Sequence, residues 1–273
     1  MRLSFLMILA FLISVKVSAA PKSDKISINN LSMSYERGIG EGSFSAFNFY
    51  DYQYNRPMVF ETQYNGTEVI FNLEDEQVVI NDENGLLSIL ASTKIKGLNL
   101  ENTSSEIKGN LSTFRAVSET KDVFLNNVGA HCKLITKPTN LRDVDYYLTN
   151  CLTDATINIS KIDLSTQEKS LFRDVLIEAL ELEKSSDTSI SELSLSINKH
   201  NYTLTLKVKA SITAKVKVYG KVEYLEGSNK IHLTITKAKA SFFNITNKVF
   251  EALKSKESEK LKVQRPHVYY SLE

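Results

Sequence analysis

The chain has 273 residues, 33 basic and 32 acidic side chains, and no tryptophan. That length suits one or two domains with cores of their own, and the near-even charge, without an aromatic-basic motif, argues against nucleic acid as a partner. Beyond the N-terminus no stretch is apolar for the roughly 20 residues that a membrane-spanning helix needs.

Residues 1–20 predict a cleavable signal peptide. Arg2 supplies the charged start, Leu3 to Val15 the apolar run, and Ser18-Ala19-Ala20 a small-residue cleavage site. An uncleaved anchor is the alternative. With the Lys-, Asn- and Ile-rich composition, the expectation is a bacterial protein that is periplasmic or secreted. Charge then divides the remaining chain. Residues 21–160 hold 12 basic and 18 acidic side chains, and residues 161–273 hold 19 and 14. The sign change suggests two regions, an antiparallel β domain over 21–160 and an α+β domain over 161–273. Cys132 and Cys151 are the two cysteines, and in an exported chain they predict a disulfide. Metal ligation is the weaker option: His131 abuts Cys132, but no second His or Cys lies close by to complete a zinc set.

The first region reads as short strands separated by turns. Ile26 to Tyr35 alternates, Gly38, Gly40 and Gly42 interrupt it as a hairpin turn, and Phe44 to Tyr52 resumes. Asn65-Gly66 between Met58–Tyr64 and Glu68–Leu73 predicts a type I′ hairpin, and Asn84-Gly85 marks a second. Further strands are expected over 93–100, 106–117, 123–134 and 146–159.

At Ser165 the character changes. Ser165-x-x-Glu168 reads as a capping box, and Leu171, Phe172, Val175, Leu176, Ala179 and Leu180 follow helical spacing, so a helix is expected over about 166–184. Residues 190–198 then form a strand. Tyr202 to Tyr219 alternates without a break: Tyr202, Leu204, Leu206, Val208, Ala210, Ile212, Ala214, Val216 and Val218 on one face, and a lysine- and threonine-rich set on the other. This predicts a single strand on the order of 60 Å long, kinked at Gly220. Residues 230–240 return beside it. A second helix over 242–256 carries Phe242, Phe243, Val249 and Phe250, and a last edge strand over 261–272 contains Pro266. The region thus reads αβββαβ, a long curved antiparallel meander packed on two helices.

Enzyme signatures are missing: no nucleophile elbow, zinc-protease motif, phosphate loop or dinucleotide fingerprint occurs. His131, His200, His232 and His267 are scattered, and no cofactor is implied. The sequence therefore points to a non-catalytic protein. Lys207, Lys209, Lys215 and Lys217 share the outward side of the long strand. They read either as a solvated face that discourages edge aggregation or as a surface attracted to anionic lipid.

The pattern of Ser165–Leu272, chiefly YTLTLKVKASITAKVKVYGKVEY and KIHLTITKAKASFF, resembles bacterial envelope lipid-binding proteins of the AsmA/TULIP-like kind. The resemblance implies a long curved sheet whose apolar side holds acyl chains. The expected site for a lipid or other apolar ligand is Leu206, Val208, Ala210, Ile212, Ala214 and Val216 with Leu176, Phe243 and Phe250 on the helices. The alternative is a structural or protein-interaction component of the envelope in which the same residues form a closed core.

Overall fold

A computed structural model describes residues 26–49, 52–74, 76–81, 91–118, 121–135, 144–166, 171–180, 189–209 and 213–272. The expected signal peptide, the Asn84-Gly85 turn, Glu168, Ala210 and Ile212 lie outside the described residues, as do the side chains of Leu171, Phe172 and Leu176.

The described chain is β-rich and builds one large antiparallel sheet with three helices. Strand β1 (Ile26–Glu36) turns through Arg37-Gly38, both at positive φ, into β2 (Ile39–Phe44). The turn therefore uses Gly38 alone of the three glycines. Gly42 lies within β2, where a Cβ would stand 2.4 Å from the Phe60 ring and 2.7 Å from the Ser32 carbonyl oxygen. β3 (Ala46–Phe49) and β4 (Tyr52–Tyr54) fold beside the start of β1. β5 (Met58–Tyr64), β6 (Glu68–Leu73) and β7 (Glu76–Asn81) extend the sheet from β2.

The expected hairpin at Asn65-Gly66 is present, shifted by one residue. Asn65 N–H donates to the Glu68 carbonyl, so Gly66 and Thr67 are the central pair. The Asn65 side chain accepts the amides of Thr67 and Glu68, an Asx turn that competes with the simpler I′ geometry.

On the other side of β1 run β8 (Ser92–Asn102), β9 (Glu106–Val117), β10 (Lys121–Lys133) and β11 (Asp154–Thr166). β12 (Ser189–Asn198), β13 (Asn201–Lys209), β14 (Thr213–Leu225) and β15 (Lys230–Ala240) follow, each pairing with the next. The boundary expected near residue 160 falls inside β11, and the sheet continues across it.

Helix α1 (Val144–Cys151) stands where the start of a strand was expected over 146–159. Tyr147 of α1 accepts a hydrogen bond from Asn102, and the Asn150 amide bridges Tyr146 and Ile135. Cys151 is bonded to Cys132 of β10, with Cα atoms 5.0 Å apart. These tertiary ties favour the helical turn over an extended start.

Ser165 stands in a strand where a helix start was expected. Ser165 pairs with Asp122 in the sheet, and α2 begins later, at Leu171–Ala179. Strand pairing with β10 outweighs the local capping preference.

The single long strand is instead two. β13 and β14 are antiparallel neighbours, with Val208 opposite Ala214 and Lys209 opposite Thr213. A three-residue connection keeps the parity of the alternation, so a hairpin and a continuous strand give the same period-2 pattern. The order of the region therefore departs from αβββαβ. Gly220 does mark a bulge, since the register against β15 shifts between Tyr219 and Gly220. A Cβ there would stand 1.9 Å from the Thr234 carbonyl oxygen.

The second helix is shorter than expected. β16 (Phe243–Asn244) precedes α3 (Thr246–Lys254), so Phe242 and Phe243 lie outside the helix. The Asn244 side chain accepts the Thr246 amide, and the Thr246 hydroxyl accepts the Ala238 amide of β15. Pro266 sits in the turn between β17 (Leu261–Gln264) and β18 (His267–Ser271), not within one edge strand.

Across the sheet the order is β7-β6-β5-β2-β1-β8-β9-β10-β11-β12-β13-β14-β15-β18-β17, with β7 and β17 at the two ends. The β17 end is closed by the chain that follows α3. Glu257 accepts the Val263 amide, Lys254 donates to the Val263 carbonyl, and Ser258 pairs with both backbone groups of Leu261. Side-chain and main-chain groups thus occupy positions that an added strand would use.

One buried cluster runs from Leu98 on β8 through Phe114, Leu125, Ile159, Leu206 and Val216 to Ile235, and on to Val249 and Phe250 of α3. α2 and α3 pack on one another over this face, which accounts for their apolar stripes.

Candidate functional site

The inner face of β11–β15 carries a row of four apolar side chains set directly opposite one another: Ile157, Leu195, Leu204 and Val218. All four are half-buried. On one side lies the cluster beneath the helices. On the other lies a second, smaller cluster of Ile197, Tyr202 and Val222. Leu204, Val218 and Leu233 pack against both. The row is therefore an incompletely covered apolar strip between two sealed regions.

Local sequence explains the strip. Even-numbered residues of β13 and β14 face inward, and the absence of a side chain at Gly220 lets the Tyr202 ring approach the backbone closely. Burial raises the Tyr202 phenol above its ordinary range, so it stays neutral. No ionised side chain belongs to the row. Such a surface can take up hydrocarbon, but it offers no acid, base or nucleophile.

The expected site residues distribute unevenly. Leu206, Val208, Ala214, Val216 and Phe250 are buried, with Val208 wholly covered. Phe243 departs from its expected inward position: it is 76% exposed, because the chain turns at Ser241 and enters α3 only at Thr246. Lys207, Lys209, Lys215 and Lys217 do share the outer face. Two like-charged pairs stand directly opposite, Lys207 with Lys215 and Lys217 with Lys239.

The outer face also brings together residues that seemed scattered in the sequence. His232 Nδ1 lies 2.6 Å from Glu223 Oε1, and its Nε2 lies 3.0 Å from His267 Nδ1. The His232 ring stacks on Tyr269 at 4.6 Å. His232 and Tyr269 are cross-strand partners, so alternation along β15 and β18 was the signal that could have joined them. A second grouping lies near the disulfide, where Lys108 and His131 hold the Glu106 carboxyl below its ordinary range. Among the described residues no three His, Cys, Asp or Glu side chains are placed to hold a metal ion.

Fold and strip together define a class: a continuous antiparallel sheet with one apolar face partly covered by two short helices. No family model, curated protein or solved structure matches the chain.

Proposed function

We propose that this chain is a non-catalytic binding protein for a lipid or other apolar ligand, held along the strip of Ile157, Leu195, Leu204 and Val218. The observation that carries this reading is their shared half-burial between two sealed clusters. Protein interiors are packed to a density of about 0.75, so a row left half-buried can still take up apolar surface. The resemblance of Ser165–Leu272 to envelope proteins of the AsmA/TULIP-like kind belongs to the same proposal. So does export to the periplasm or beyond, supported by the pattern of residues 1–20.

A second reading keeps the same face as the core of a structural component of the envelope. The complete burial of Val208 and Ala238 favours it for the part beneath α3.

Two measurements separate the readings. Native mass spectrometry of gently purified protein should find co-purified lipid. Val218→Phe should fill the strip, lowering uptake of a fluorescent fatty acid severalfold while leaving the denaturant midpoint nearly unchanged. If the parent takes up no fatty acid and Val218→Phe loses about 1–3 kcal/mol through overpacking, the face is a closed core.

A further inference from the structure

We infer that the rim where β15 passes into α3 docks on anionic membrane surfaces, with Phe242 and Phe243 entering the lipid interface beside headgroup-facing lysines. Phe242 is 94% exposed and Phe243 76% exposed, and they are adjacent. Large aromatics so far out of the surface, side by side, mark an interaction site more often than isolated exposed residues do.

The pair is held in place by backbone. Ser241 takes a left-handed conformation at φ 51°, and its amide donates to the Lys215 carbonyl at 2.8 Å. β16 then returns along β15, with Phe243 opposite Ala240 and Asn244 opposite Lys239. The turn therefore stands at the end of the strands that carry the basic residues, with Phe243 in register with Ala240 on the inner face and Asn244 with Lys239 on the outer face, so the rim presents aromatic and basic groups edge-on. Lys215 is joined to the turn, Lys217 lies opposite Lys239, and Lys207 lies opposite Lys215.

Charge identifies the partner. Like charges set directly opposite on adjacent strands destabilise a sheet. Of these four lysines, only Lys207 has a carboxylate partner among the described residues, Glu192 at 3.6 Å. The remaining charge suits phosphate-rich headgroups, and phenylalanine side chains bury at the boundary between headgroups and acyl chains. A projecting turn inserts into a fluid interface more readily than it matches a preformed protein surface. This inference uses a different part of the molecule from the inner strip, so either can fail alone.

The test is flotation of the purified protein with vesicles of phosphatidylcholine, or of phosphatidylcholine with about a third phosphatidylglycerol, at low and high salt. Binding is expected to the anionic vesicles only and to weaken with salt. Phe242→Ser with Phe243→Ser, and separately Lys215→Gln with Lys217→Gln and Lys239→Gln, should each weaken it at least tenfold with no loss of melting temperature. Fatty-acid uptake measured on the same variants reports the inner strip independently. No binding of the parent to anionic vesicles, or equal binding by the Phe242→Ser/Phe243→Ser variant, overturns the inference. So does a parent dimer that the phenylalanine substitutions convert to monomer, because a second copy would then be the occupant.

Discussion

Val208 and Lys209 are neighbours in the chain with opposite environments, one wholly buried and one exposed. Val208→Asp and Val216→Asp each place an unpaired carboxylate in the core, which costs several kcal/mol. Lys209→Asp sits on the outer face and should change stability by about 0.5 kcal/mol or less. Lys217→Glu goes further, because it replaces a like-charged pair with Lys239 by an opposite pair and should stabilise by roughly 0.2–1 kcal/mol. Thermal melts of the four variants check the ranking. Equal losses on both faces would mean that the register is wrong. At this scale the sequence was highly legible, since the alternation from Tyr202 to Tyr219 assigns inward and outward faces correctly for every described residue of that run. Phe242 and Phe243 were misread for a physical reason: they continue an apolar helical spacing, but Asn244 and Thr246 start the helix after them.

Elements were legible where their signals are local, and less so where distant partners decide. Residues 210–212 connect β13 to β14 with Ala-Ser-Ile, which contains no glycine, proline or asparagine to announce a turn. Ser165 has every local mark of a helix start, yet pairing with Asp122 keeps it in a strand. Helix α1 is likewise fixed from outside, by Asn102 and by the Cys132–Cys151 bond. Cys132→Ser with Cys151→Ser opens a link of sequence separation 19. It should lower stability by about 3 kcal/mol, read from denaturant midpoints. Hydrogen exchange should rise first in α1. The cap on β17 depends on pH. Hydrogen bonds from Lys254 and from the Val263 amide hold the Glu257 carboxyl below its ordinary range. A depressed folded-state value gives stabilisation that is present above the unfolded value and fades as pH falls through the folded one. Exchange of the Val263 amide, compared at pH 6 and well below pH 4 after correction for intrinsic rates, should show loss of protection. Glu257→Gln should abolish that pH dependence.

For the whole molecule, alternation and turn spacing correctly indicated a β-rich fold, and the sheet continues past residue 160, where the charge balance changes. β10, β11 and β12 pair continuously through that point. Sequence distance hides this continuity because each strand meets its neighbour through hairpins and inserted helices alike. The candidate strip was only partly legible. Leu204 and Val218 belong to the alternating stretch, but Ile157 and Leu195 join them only through cross-strand register. What distinguishes the strip from the adjoining core is its degree of burial, and no single residue announces that.

An edge whose backbone groups are already taken resists the joining of copies edge to edge. On β17 the backbone groups of Val263 and Leu261 are already bonded to Glu257, Lys254 and Ser258, so a second copy cannot add a strand there without displacing those bonds. Protonation of Glu257 removes part of that stopper. Acid therefore removes one of the contacts that an incoming strand would have to displace, while those of Lys254 and Ser258 stay.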